Sequence, residues 1–235
     1  MELFLDQSVK FATFSKLHFY SVFIPVCFAI PLTIFIDKTL DIQKKYLVVF
    51  ITSLLAAFCV LIRMVILMVD DTFTVEEELP LHLCRLLALL YPFAIWYKSS
   101  QWINAFYFLV LAGTLQAIIT PDLEFGPMHF SYFLYFILHN TLLLLPFLTV
   151  YLLRCIPDSK DLKFAFISGN VYMVGTLILN FFLGSNYFYT LHKPPGKSLL
   201  DLMGPWPVYL IVAEILALIL FFIALLPLNF LKVRK

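Results

Sequence analysis

Between Leu79 and Pro92 the chain reads LPLHLCRLLALLYP, setting a histidine, a cysteine and an arginine at the start of an apolar run long enough to cross a bilayer. Ionisable groups are costly in lipid and mark substrate or ion sites by default. His82 and Arg85 stand three apart and can share a helix face, whereas Cys84 points about 160° or more from His82 on a regular helix. A nucleophilic Cys84 would then take its base from another helix, with His139 the leading candidate. A helix that begins only after His82 would relax that restriction. A thiol in apolar surroundings is inert unless a cation such as Arg85 or a protonated histidine activates it.

Depth along the helices, at about 1.5 Å per residue, groups the remaining polar residues. Arg63 falls roughly 9 Å below the outer surface, His82, Cys84 and Arg85 about 3 to 8 Å, Gln116 about 6 Å and Asn180 about 5 Å. His139 and Glu214 lie near the midplane, about 13 to 15 Å deep. Several helices thus contribute to the outer half, as a pocket opening outward requires. Each residue also has a plainer reading. Arg63 can snorkel, or pair with Asp70, Asp122 or a lipid phosphate. Gln116, Asn140 and Asn180 can be interhelical hydrogen-bond glue. Glu214 must be protonated or paired, and His129 and His192 fit a surface role.

The elements that position these residues follow from composition: 235 residues, 62% hydrophobic and only 13% charged. A soluble domain would carry about twice that charge. The continuously apolar runs predict an all-α bundle of about seven transmembrane helices rather than a barrel, whose strands alternate. Spans are expected near 17–36, 46–68, 80–97, 101–120, 129–152, 162–183 and 205–227, in one domain over 1–235. Pro25, Pro31, Pro92 and Pro146 would kink them, which a packed bundle tolerates.

Lysine and arginine near span ends set orientation. Lys38, Lys44, Lys45, Lys98, Arg154, Lys160, Lys163, Lys232, Arg234 and Lys235 fall on one side. The other has Lys10, Lys16, Lys193 and Lys197, with an acidic loop of Asp70, Asp71, Glu76, Glu77 and Glu78. The N-terminus is therefore expected outside and the C-terminus in the cytoplasm. The net charge of +1 argues against a nucleic-acid partner. Glu2 and Asp6 interrupt any signal-peptide n-region. Residues 1–16, with Leu3, Phe4, Phe11 and Phe14 beside charged neighbours, predict an interfacial helix. Cys27, Cys59, Cys84 and Cys155 do not suggest a structural disulfide.

Absent motifs narrow the chemistry. There is no G-x-S-G, no H-x-x-x-x-D and no H-E-x-x-H, and the seventh span lacks a central lysine for a retinal Schiff base. No two histidines stand three or four apart on one helix, and neither metal nor cofactor is expected.

Four strings carry a resemblance: LPLHLC at 79–84, GTLQAIITPDL at 113–123, FILHN around His139, and NYFYTLHKPPGKSLLDLMGPWPVY at 186–209. They resemble the YwaF-type family of bacterial integral membrane proteins over nearly the whole chain from the second span onward. That family is similar to a eukaryotic transmembrane family that acylates ether phospholipids through a cysteine, and more remotely to androgen-induced-gene-type lipid hydrolases. The resemblance implies a cysteine or histidine centre acting on acyl esters within the bilayer. The eukaryotic cysteine adjoins the motif histidine. Here Leu81 adjoins His82 and Cys84 lies two residues on, so His82 and His139 transfer more directly.

After the sixth span, Lys193, Pro194, Pro195 and Gly196, then Gly204, Pro205, Trp206 and Pro207, predict an ordered outer loop over 184–204. Trp206 and Tyr209 suit interfacial anchors. Asn186, Tyr187 and Lys193 could cap the pocket and hold a phosphate or carboxylate, with Asp122 opposite and pairing with Lys193 or Arg85.

Two functions fit. In the first, Cys84 or an activated hydroxyl attacks a lipid ester, His139 or His82 moves the proton, and Arg85 with Asn180 stabilises the oxyanion. Its partners would be plasma-membrane lipids, with a phospholipid or fatty-acyl substrate. In the second, a non-catalytic transporter or solute-binding protein holds a small anion or lipid and Glu214 carries a proton. A scaffold is the third possibility. The absence of inverted repeats favours the enzyme.

Overall fold

Prolines inside helices and small residues at their crossings shape a bundle built around its middle helices. The computed structural model describes residues 9–196 and 198–233, with side chains described as far as Leu228. Seven helices run in chain order: α1 Lys16–Thr39, α2 Ile42–Val69, α3 Leu83–Trp96, α4 Ser100–Ile119, α5 Phe130–Tyr151, α6 Ser159–Leu183 and α7 Val208–Val233. Two 3-10 turns, Tyr187–Tyr189 and Leu199–Met203, lie between α6 and α7. No strand occurs among the described residues, so the chain is all-α, and six helices are long and apolar enough to cross a membrane.

The exception is α3, with 14 residues. At 1.5 Å per residue it is about 21 Å long, short of a hydrocarbon core of about 30 Å. The span expected over 80–97 thus begins in non-helical backbone, which membranes tolerate where protein surrounds it.

Burial concentrates on α4 and α5. Ala105 and Ala112 on α4 and Ala56 on α2 are fully or nearly fully buried, and small side chains let helices approach closely where lipid offers no hydrophobic drive. Accordingly α4 packs against α3, α5, α6 and α7, while α2 packs on α3 and α5. At the periphery, α1 rests chiefly on α5 and turns Phe19, Phe23, Phe28 and Phe35 outward, as a lipid-facing helix should. Pro25, Pro31, Pro92, Pro146 and Pro227 all fall inside helices.

Local signals fix the helix ends. Ser15 caps α1 by accepting from the His18 amide at 3.2 Å, and Asp41 caps α2 by accepting from the Lys44 amide at 2.9 Å. Asp158 and Asp161 form a capping box at α6, which ends on Gly184 at φ +66°, a left-handed position that suits glycine.

The expected interfacial helix is not formed over 9–15. Leu3, Phe4, Glu2 and Asp6 lie outside the described residues. Lys10 instead makes an antiparallel bridge with Phe125, through Phe11 N–H to Glu124 O and Gly126 N–H to Val9 O, both 2.8 Å. Gly126 allows that approach, because a Cβ there would sit 2.9 Å from Val9 Cγ1. All four cysteines are free.

Candidate functional site

Three long connections, 70–82, 120–129 and 184–207, gather at one end of the bundle. Asn180, in the last turn of α6, holds the third. Its amide nitrogen donates to Tyr187 O and Thr190 Oγ1, each at 2.8 Å. Its oxygen accepts from Ser185 Oγ at 2.7 Å and from Tyr187 N–H at 2.9 Å. The side chain is fully buried and its hydrogen-bonding capacity is spent. Asn180 therefore has no donor to offer an oxyanion or substrate, which corrects the role expected from sequence.

Tyr187 and Asn186 are similarly absorbed by structure. The buried Tyr187 hydroxyl donates to Val75 O and accepts from the Leu79 amide at 2.9 Å, tying the 184–207 loop to the acidic one. Asn186 donates to His192 O at 2.7 Å and accepts from the amides of Leu191 and His192 at 3.1 and 3.2 Å. Farther along, Tyr209 donates to Tyr189 O at 2.6 Å and Trp206 Nε1 to Thr190 O at 3.1 Å.

Asp122 pairs with neither Lys193 nor Arg85. Phe188 and Tyr189 adopt φ of +58° and +52°, and this left-handed turn carries the Tyr189 hydroxyl to Asp122 Oδ2 at 2.6 Å. Lys193 lies 4.0 Å from Asp201, and Arg85 is held by Glu78. Burial, followed by the Asp122 charge, raises the Tyr189 phenol well above its ordinary range, so it stays protonated as the donor.

His82, Cys84 and Arg85 enter from α3. The helix starts at Leu83, so His82 is its N-cap in extended backbone and the face rule for a regular helix does not separate it from Cys84. The His82 ring lies 5.4 Å from that of Tyr187 and 5.1 Å from that of Tyr189. Cys84 occupies the first turn of α3, its sulfur 3.6 Å from Thr114 Oγ1 on α4. Gly113 admits this crossing, since a Cβ there would meet Leu83 Cδ2 at 3.2 Å. The His82 side chain does not cap α3, and among the described residues the amides of Leu83 and Arg85 have no hydrogen-bond partner, as the first turn of a helix leaves them.

From α5, buried His139 brings Nδ1 to 2.8 Å from Tyr135 O. A carbonyl only accepts, so Nδ1 carries the proton, and Nε2, unpartnered among the described residues, is the basic nitrogen of the neutral ring. His139 stacks on Tyr135 at 4.0 Å, and the Tyr135 hydroxyl donates to Ala117 O at 2.6 Å. Cys84, Asp122 and Tyr189 lie within Coulombic range of Tyr135, as Arg85 does of His139. Arg63 and Arg85 both lie within range of His82. Residues from α2, α3, α4, α5 and the long loops thus converge.

Arg63 pairs with Glu78 rather than with Asp70 or Asp122. Its Nη2 reaches both carboxylate oxygens, at 2.7 and 2.9 Å, and Arg85 Nη1 reaches Oε2 at 3.2 Å. Nearby, burial and then the Arg63 charge lower the His129 pKa, while His129 Nδ1 engages Ser131 Oγ at 2.6 Å.

Two predicted residues stand apart. Glu214, about 9 Å along α7 from Val208, accepts from Asn170 of α6 at 2.8 Å and joins no member of the cluster. The Gln116 side chain makes no hydrogen bond among the described residues, although its carbonyl accepts from Thr120. Asn140 donates to Ser21 O at 3.0 Å, bonding α5 to α1. Sequence reasoning missed Glu78, Thr114, Tyr135 and Tyr189 as site members. Helical spacing could have found Tyr135, four residues before His139 on the same face; Thr114 carries no comparable signal.

Two open grooves lie away from these residues, along Ile219–Leu226 of α7 and between α1 and α5 around Pro25, Tyr132 and Asn140. None of the predicted site residues lines them. No cluster of three histidine, cysteine or acidic residues suited to a metal occurs among the described residues.

The sequence model of the TMEM164 family matches residues 13–225. No curated protein and no solved structure matches the chain.

Proposed function

The chain belongs to the TMEM164 family, and on that premise we propose that this multi-span membrane protein transfers or hydrolyses acyl esters of membrane lipids through Cys84. The observation that carries the reading is the setting of Cys84: first turn of an uncapped helix, sulfur 3.6 Å from Thr114 Oγ1, with Arg85 beside it in the chain. The LPLHLC and 186–209 strings add the acyl-ester chemistry that their resemblance implies, and support the finer YwaF-type naming. Lysine and arginine placement supports a cell-membrane protein with its N-terminus outside and its C-terminus in the cytoplasm.

His139 Nε2 takes the thiol proton as the Cys84 sulfur attacks the ester carbonyl, forming a C–S bond. Opening amides of α3, such as that of Arg85, hold the oxyanion, in place of Asn180. Collapse breaks the C–O bond, and the departing alcohol takes the proton from His139. An acceptor alcohol or water then cleaves the thioester with the same histidine as base. His82, set between two tyrosine rings, serves as the alternative proton carrier.

Turnover of phospholipid by purified protein in nanodiscs tests this reading. Loss in Cys84→Ala and His139→Gln is expected; unchanged turnover in both contradicts it. The transporter reading has one observation in its favour, the Glu214 carboxylate bonded to Asn170 inside the span region. Proton-driven solute uptake abolished by Glu214→Gln would support it in place of the enzyme.

A further inference from the structure

We propose that the Arg63, Glu78 and Arg85 cluster is a binding site for a phosphate group, carried on a lipid headgroup or free in solution. Arg63 comes from α2, Glu78 from the acidic loop and Arg85 from the first turn of α3. Two guanidiniums share one carboxylate, at 2.7 and 3.2 Å, leaving a net charge of +1. Their side chains are only 24% and 21% exposed, and that of Glu78 14%. A charge so placed is costly unless an anion balances it.

The other acids of the loop do not supply that anion. Asp71, Glu76 and Glu77 are exposed and Asp70 is half-buried, and none forms an ion pair with either arginine. Donors are also in excess. Arg63 Nε is buried without a partner, and among the described residues Arg85 bonds through Nη1 alone, to Glu78 and to Glu77 O at 3.4 Å. A guanidinium offers five N–H donors in a planar fork, and that fork matches the oxygens of a phosphate. Glu78 fixes the two forks and still leaves donors for a tetrahedral anion. Arg85 adjoins Cys84 in the chain, and both guanidiniums lie within Coulombic range of His82. In a glycerophospholipid only a few covalent bonds separate phosphate from acyl ester. Any link between this site and the lipid of the proposed reaction rests on the reading of Cys84, whereas phosphate binding does not.

The test is native mass spectrometry of the full chain in detergent, with phosphatidate, diacylglycerol of the same acyl chains, or inorganic phosphate. Wild type should retain phosphatidate in preference to diacylglycerol. Arg63→Gln and Arg85→Gln should each weaken phosphatidate binding about tenfold or more, as loss of a charge-assisted contact does, with diacylglycerol binding unchanged as the control for folding. Glu78→Gln raises the site charge from +1 to +2 and should tighten phosphatidate binding, a direction that a purely structural ion pair does not give. Weak competition by inorganic phosphate assigns the site to the lipid headgroup, and competition at equal concentration assigns it to free phosphate; either outcome supports it. Equal binding of phosphatidate and diacylglycerol, or weaker phosphatidate binding in Glu78→Gln, overturns it. Cys84→Ala should keep its phosphatidate binding, so failure of the acyl-transfer reading and failure of the phosphate site are separable.

Discussion

The two ends of the bundle are built on opposite plans. At one end the connections are short, 40–41, 97–99 and 152–158, and charges pair close to where they emerge. There Asp37 takes Lys45 at 2.6 Å and Arg154 at 3.1 Å, and Asp158 caps α6. At the other end, connections 70–82, 120–129 and 184–207 are long and bound to one another by side chains from helix termini. Among the described residues that end also keeps unpartnered groups: the Leu83 and Arg85 amides opening α3, His139 Nε2 and unused arginine donors. Loops on a rigid scaffold are where binding and catalysis concentrate, and the proposed reaction uses the long-loop end.

Substitutions break the contrast in descending order. Cys84→Ala should abolish acyl release, by about 10³-fold or more, with little change in thermal unfolding of the detergent-solubilised protein. His139→Gln should cost roughly 10² to 10⁴-fold, the range for a general base, in the same assay. Asn180→Ala deletes four buried hydrogen bonds and should lower stability by about 3 to 5 kcal/mol, read as a drop in Tm and earlier proteolysis within 184–207. Should Asn180→Ala leave both unchanged, the loops are not held as described.

Smaller effects sharpen the picture. Tyr189→Phe removes the bond to Asp122 and should cost about 1 kcal/mol, discounted because Asp122 is exposed. His129 has its pKa lowered by folding, so the unfolded chain binds the extra proton as pH falls below about 6.5. Its contribution is present above that pH and lost on acidification. Unfolding followed by Tm between pH 7 and 5 should steepen through this residue and flatten in His129→Gln. None of the short connections contains a histidine.

The fold was legible because lipid imposes a simple rule: uninterrupted apolar runs must be helices. Polar types within the spans also singled out His82, Cys84, Arg85 and His139 as candidates. What one-dimensional spacing could not carry was satisfaction. Asn180 looked like a donor facing a pocket, yet its partners Tyr187, Thr190 and Ser185 follow a left-handed glycine that only the folded turn brings back. Asp122 was matched to a cation by charge alone, whereas the Phe188 and Tyr189 turn delivers a phenol. The start of α3 at Leu83 decided the His82 and Cys84 geometry, and a one-residue boundary lies beyond pattern reading. Glu78 was indistinguishable in sequence from the four other acids of its loop.

The most direct test of the central claim is the intact mass of the protein after incubation with a phospholipid of defined acyl chain. A mass increase of one acyl group on Cys84, labile to hydroxylamine and absent in Cys84→Ala, is the predicted result. Acyl turnover that proceeds with no adduct on Cys84, and at an equal rate in Cys84→Ala, would contradict it.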